Sequence, residues 1–290
     1  MGLTFATVVP RTVTELAQEQ VSSFTPYTLF AAVGYCPPTK TSPWSCGAKC
    51  DALAGFEVVD SGGDGVVEQF WFVGFHTPLN SVIVVHQGTN PHELMPLATD
   101  ADVFLVPLNA SAFPGVPAGV LAHKGFLGAH DRSSLDVLSA VLVALVEHPG
   151  AAVTFTSHSL GAAIGMLDAL FLRTRVPAST PFKFVGYGTP RVGNAAFANW
   201  VDAILPGTLT RVNNAQDPVP IIPGRFFGYR HPSGEVHIRP KSLSGPAQWL
   251  ACSGQDSVEA GCIDRTEVSL FDSNLDDHDG PYDGIYMGCV

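Results

Sequence analysis

The five residues Ser157-His158-Ser159-Leu160-Gly161 join an apolar β-type run to an amphipathic helical pattern with no loop between them. A serine there is either an ordinary helix cap or a hydroxyl held out for chemistry. A nucleophile elbow needs small residues two before and two after its serine, because strand and helix pass closely at that point. Around Ser159 these are Ser157, in place of the usual glycine, and Gly161, followed by Ala162, Ala163 and Gly165. Ser159 therefore occupies the tip, while Ser157 still belongs to the strand. The helix start behind Ser159 adds backbone N–H groups and the positive end of a dipole. A nucleophilic hydroxyl also needs a general base, and the base needs an orienting carboxylate. With the serine on a strand–helix turn, the order along the chain is serine, acid, histidine. Seven of the ten histidines (His76, His86, His92, His123, His130, His148 and His158) precede Ser159 and fail that order. His231 and His237 lie in GYRHPSGEVHIRP, which reads as β structure, a common setting for structural histidines. His278 lies in LDDHDGPYDG, a loop able to reach back to the elbow, and is favoured as the base. Asp217, in RVNNAQDPVPIIP, follows a strand and is held by Pro218 and Pro220, which favours it as the acid; Glu235 and Asp202 compete.

The elements needed to position these groups are visible as alternating patterns. Residues 80–88, 152–157, 182–188 and 207–213 are β-rich runs, and residues 133–148, 160–173 and 194–204 are helical. Such alternation predicts an α/β fold with a mainly parallel sheet, whose sites gather beyond the carboxyl ends of the strands. Residues 56–75 read as a hairpin around a Gly-Asp turn, and 225–239 as further β structure. Val13, Leu16, Val21 and Phe24 recur at roughly helical spacing, predicting an N-terminal helical segment over residues 1–24. No repeat or linker divides the 290 residues, which suits one domain.

A formal charge of −11 with only 15 Lys and Arg excludes a nucleic-acid partner on electrostatic grounds. Mean hydropathy is +0.22, yet no apolar run reaches membrane-spanning length; VLSAVLVALV at 137–146 reads as a buried helix. The first residues lack the charged and apolar regions of a signal peptide. Cys36, Cys46, Cys50, Cys252, Cys262 and Cys289 cluster in the two end portions, as expected for disulfides of a secreted protein. No Cys-x-x-Cys pair completes a metal site, so neither metal nor cofactor is expected. Asn109-Ala-Ser111 is a glycosylation sequon.

The segments VIVVHQGT, HKGF, TSHSLGAA, GYGTPRVGN, VNNAQDPVPIIP, YRHPSGEVHI and DDHDGPYDG, in that order, resemble the fungal class 3 lipases. Those are secreted α/β-hydrolases that include triacylglycerol lipases and feruloyl esterases. The resemblance spans about residues 25–290 and implies an α/β-hydrolase fold with helices on both sheet faces. It places the triad on Ser159, Asp217 and His278, and the oxyanion donors on the Leu160 and Thr89 N–H groups. Gln87 stands where the family commonly has arginine, which leaves the anchoring of that turn open. The disulfides it implies are Cys36–Cys289, Cys46–Cys50 and Cys252–Cys262. Its lid falls on residues 90–102, where Leu94, Met95 and Leu97, with His158 beside the nucleophile, are the candidate substrate contacts. A surface loop there fits equally well. The implied function is hydrolysis of a lipid or small-molecule ester by a monomer with transient lipid–water contact. A feruloyl esterase on the same scaffold and a non-catalytic lipid-binding protein are the rivals.

Overall fold

The computed structural model describes residues 12–89, 103–240, 247–266 and 273–289. Its main sheet comprises β1 (Val13–Glu15), β2 (Phe56–Gly62), β3 (Trp71–His76), β4 (Ser81–His86), β7 (Ala152–His158), β8 (Phe182–Tyr187), β10 (Leu209–Asn214), β12 (Glu235–Arg239) and β13 (Gln248–Cys252). A smaller sheet comprises β5 (Leu105–Pro107), β6 (Leu121–His123), β9 (Gly193–Asn194) and β11 (Tyr229–Arg230). In the main sheet the order is β1-β13-β12-β10-β8-β7-β4-β3-β2. The centre, β4-β7-β8-β10-β12, is parallel, and antiparallel pairs close both edges.

The central strands are buried on both faces, because each face is covered, and β4 and β8 are accordingly apolar along most of their length. Val82, Val84, Phe182 and Phe184 point into one core with helices α3 (Lys124–Glu147) and α4 (Leu160–Leu172). Their neighbours Ile83, Val85, Val185 and Tyr187 face the opposite side, where helix α2 (Thr25–Val33) packs. Helix α5 (Ala195–Ile204) begins after β9, with Asn194 Oδ1 accepting the Phe197 N–H at 2.9 Å.

Three expectations change. Residues 1–11 of the N-terminal helical segment lie outside the described residues. Of the rest, Val13–Glu15 is an edge strand paired antiparallel with β13, and only α1 (Gln18–Ser22) beyond it is helical. The apparent helical spacing joins two elements, and Phe24 instead stacks on Trp249 at 5.7 Å. Helix α3 starts nine residues earlier than residue 133, because His123 Nδ1 caps it by accepting the Gly125 and Phe126 N–H groups. Its apolar run is not buried all round: Val137, Ala140, Val141 and Ala144 face the core, whereas Leu142, Val143 and Val146 are exposed.

All three implied disulfides form, and Cys36–Cys289 spans 253 residues to tie the chain end to α2. Among the described residues, no helix is long and apolar enough to cross a membrane.

Candidate active site

Ser159 stands where β7 passes into α4, with φ 58° and ψ −131°. A residue with a Cβ adopts positive φ only where its surroundings over-determine it. Here its N–H donates to the Tyr187 carbonyl at 2.8 Å, and its own carbonyl accepts the Ala162 N–H at 3.0 Å. The small-residue frame has a direct cause: a Cβ on Gly161 would lie 2.8 Å from the Gln87 carbonyl oxygen. Ser157, the departure from glycine, has a use of its own, since its Oγ accepts the His86 N–H at 2.9 Å.

The structure brings Ser159, His278 and Asp217 together. Ser159 Oγ lies 2.8 Å from His278 Nε2, and His278 Nδ1 lies 2.9 Å from Asp217 Oδ2, with all three residues fully buried. A carboxylate only accepts, so Nδ1 carries the proton and Nε2 is left to take one from the hydroxyl. The second Asp217 oxygen accepts the Val219 N–H at 2.8 Å. Gly188, at φ 53°, leaves room for the base: a Cβ there would lie 2.8 Å from His278 Cε1 and 3.0 Å from Asp217 Oδ2.

The competing groups lie elsewhere. His231 Nε2 meets the Pro220 carbonyl, and the His237 ring lies between the Gly261 and Ala215 carbonyls. Asp202 is held by Ser233 and Gln255, and Glu235 accepts the Ile263 N–H at 2.7 Å.

Leu160 opens α4, so its N–H is among those an α-helix leaves without an intrahelical acceptor. Thr89 follows Gly88, where a Cβ would lie 3.0 Å from Ser159 Cβ, so the two donor-bearing turns are in contact. Gln87 anchors this turn without arginine: its N–H donates to the Phe70 carbonyl at 2.7 Å, and its Oε1 accepts the Phe70 N–H at 3.0 Å.

His158 is not a substrate contact. Its fully buried ring lies behind the triad, with Nε2 donating to the His278 carbonyl at 2.8 Å and Nδ1 accepting from the Tyr35 hydroxyl. Burial first, then the nearby His278, holds its pKa well below the ordinary histidine value, so the ring is neutral. Burial, reinforced by Asp279, also pushes the Tyr35 hydroxyl far above the tyrosine range and keeps it a donor. The Tyr282 hydroxyl donates to the same His278 carbonyl at 3.0 Å. Leu94, Met95 and Leu97 lie outside the described residues.

Sequence reasoning missed the clamp that fixes the base. Asn214 Nδ2 donates to the Asp277 carbonyl at 2.9 Å, and Asp277 Oδ2 accepts the Gln216 N–H at 3.0 Å. Asn274 N–H returns a bond to the Gln216 carbonyl at 2.9 Å, so acid loop and base loop are laced together. No motif marks this clamp, because Asn214, Gln216, Asn274 and Asp277 meet only once the two loops are folded. Among the described residues, Glu235 with Cys252 and Cys262 forms a metal-sized group, but the two sulfurs are bonded to each other.

The pattern of the lipase (class 3) family matches residues 83–227. A secreted mono- and diacylglycerol lipase 3 of Gibberella zeae is 32% identical over 254 residues, covering 87% of this chain and 76% of the relative. The chain belongs to the class 3 lipases. The Malassezia globosa secreted mono- and diacylglycerol lipase MDL2 is 33% identical over 226 residues, 78% of this chain and 71% of its own. Among solved structures, Rhizomucor miehei triacylglyceride lipase superposes with a TM-score of 0.79 at 26% identity, covering 96% of this lipase and all of that chain. Lipase II from Rhizopus niveus gives a TM-score of 0.81 at 24% identity, covering 96% and 100%, a likeness of fold. This class 3 lipase is thus an α/β-hydrolase and a carboxylic ester hydrolase of the serine type.

Proposed function

We propose that this lipase is secreted and hydrolyses acylglycerols through an acyl-enzyme on Ser159. The observation that carries the reading is the buried relay, 2.8 Å from Ser159 Oγ to His278 Nε2 and 2.9 Å from Nδ1 to Asp217. His278 takes the Ser159 proton as Oγ attacks the ester carbonyl, then delivers it to the leaving alkoxide. Asp217 holds the imidazole in the required tautomer. Water, deprotonated by the same imidazole, releases the fatty acid. The Leu160 and Thr89 N–H groups receive the oxyanion in both tetrahedral steps, each well-aimed donor being worth about 2.7–4 kcal/mol. Secretion is supported by relatives named as secreted lipases and by the three disulfides. The acylglycerol substrate follows the same relatives, which are named for mono- and diacylglycerols. Ser159, His278 and Asp217 all come from one chain, so the proposed relay needs no residue of a second copy.

Ser159→Ala is expected to lower kcat on p-nitrophenyl butyrate by about 10⁴–10⁶-fold and to abolish labelling by a fluorophosphonate. The wild type is expected to turn over diacylglycerol emulsions faster than methyl ferulate. Faster turnover of ferulate would move the substrate assignment to a hydroxycinnamoyl ester, and retained activity in the variant would remove Ser159 as nucleophile.

A further inference from the structure

Two tips at the active-site end of the main sheet present apolar side chains to solvent. The first is the turn between β2 and β3. Trp71 pairs with His86 at the carboxyl end of β4, so this turn projects beyond the sheet end that bears Gly88 and Ser159. Val66 is 84% exposed and Val67 62%. Their exposure is built in, not the result of slack: Asp64 Oδ1 accepts the Val66, Val67 and Glu68 N–H groups at 2.8, 2.8 and 3.0 Å. Those bonds hold the Asp64 carboxyl below its ordinary range. The second is the 3₁₀ turn Arg225–Phe227, on the path from Asp217 to β11. It lies at the same end, because β11 pairs with β9 shortly after Gly188 beside His278. Phe226 is 84% exposed and Phe227 40%. Apolar side chains are exposed on the outer face of α3 as well, but those of the two tips stand at the end that bears the nucleophile, where an interaction surface would serve the substrate.

We infer that Val66, Val67, Phe226 and Phe227 are fixed points that seat this end of the lipase on an uncharged acylglycerol–water surface. The inference rests on the acylglycerol reading above. The occupant follows from charge and chemistry. A chain of net −11, with Asp64 and Glu68 on the valine-bearing turn, is repelled by an anionic bilayer, whereas an uncharged ester surface opposes nothing. Inserting preformed tips requires little ordering, so the apolar area they bury goes into binding. Because the tips project from the end that carries Ser159, seating them brings the lipid surface over the nucleophile.

The test separates binding from turnover. In the Ser159→Ala background, flotation with dioleoylglycerol droplets stabilised by phosphatidylcholine measures the bound fraction. Val66→Ser with Val67→Ser, and Phe226→Ser with Phe227→Ser, are each expected to lower it at least fivefold. In the active enzyme the same pairs lower droplet hydrolysis to a similar degree and leave kcat/KM on soluble p-nitrophenyl butyrate within twofold. Asp64→Ala, which keeps both valines and frees the turn, gives a smaller loss of binding. Unchanged flotation of both double variants overturns the inference, as does equal binding of the parent to phosphatidylglycerol vesicles. A wild type that cleaves the soluble ester but does not float with droplets also overturns it and leaves the hydrolase reading intact. Droplet binding without cleavage of any ester sinks the hydrolase reading instead.

Discussion

Catalytic geometry at the residue scale depends on atoms that are missing as much as on those present. Gly188 combines φ 53° with a site where a Cβ would press on both His278 and Asp217. Gly188→Ala is therefore expected to displace the imidazole and lower kcat on a soluble ester by about 10²-fold, since misplacement near 1 Å has that effect. KM should change little, and steady-state kinetics on p-nitrophenyl butyrate checks both parameters. Tyr35→Phe acts more gently. It leaves His158 Nδ1 without its donor and removes the far end of the support under the His278 carbonyl. A buried polar atom left unpaired costs about 1–3 kcal/mol. Thermal unfolding should register that loss, with a several-fold fall in kcat. Of these groups only the triad itself was legible in the sequence. Ser159 was marked by its small neighbours, and His278 and Asp217 by chain order. Tyr35 and His158 carry no motif, because their role is a chain of contacts between elements far apart in sequence.

Between elements, the pairing of greatest consequence is a buried ion cluster behind the elbow. Asp168 on α4 lies 2.6 Å from His86 on β4 and 3.3 Å from His130 on α3, with all three fully buried. Burial alone would raise the Asp168 carboxyl, but the charge and hydrogen bonds of His86 and His130 outweigh it and lower the pKa to about 2. Burial opposes protonation of His130, yet Asp131 and Asp168 together raise it above the ordinary value. A lowered carboxyl contributes stability above its unfolded pKa of about 3.9, and that contribution is lost as pH falls through about 2. A raised imidazole contributes fully below about pH 6.5, and its share is lost as pH rises through the folded value. Wild-type stability should therefore decline as pH rises above about 6.5 and His130 loses its proton. Asp168→Asn should flatten that slope, with Asp131 preserving part of it, and cost about 3–5 kcal/mol at pH 6, read from thermal midpoints between pH 5 and 9. The elements carrying this cluster were legible as alternating apolar runs. Their ends were less so, because the His123 cap of α3 and the pairing of Val13–Glu15 with β13 depend on residues that meet only after folding.

For the molecule as a whole, the Cys36–Cys289 bridge joins the ends of most of the chain around the base loop. Replacing both cysteines by serine should lower stability by about 2–5 kcal/mol. It should also reduce kcat, because the loop bearing His278, Tyr282 and Asp277 then has one tether fewer. Thermal unfolding of the double variant and steady-state kinetics on a soluble ester check both effects. The overall architecture was recoverable from sequence because strands covered on both faces read as unbroken apolar runs. The β2–β3 hairpin at one edge was legible as well, whereas the β1–β13 pairing at the other edge and the exposed face of α3 were not, since neither leaves such a pattern.

Gly88 has a further consequence. The space it leaves empty is shared by the Tyr35 hydroxyl, the His158 backbone and the Ser159 side chain. In the proposed mechanism, charge stabilisation and proton transfer, treated as separate tasks in chemistry, are thus mechanically one joint. An inhibitor that wedges the turn outward would loosen the imidazole in the same motion, and a ligand that draws it inward would tighten both.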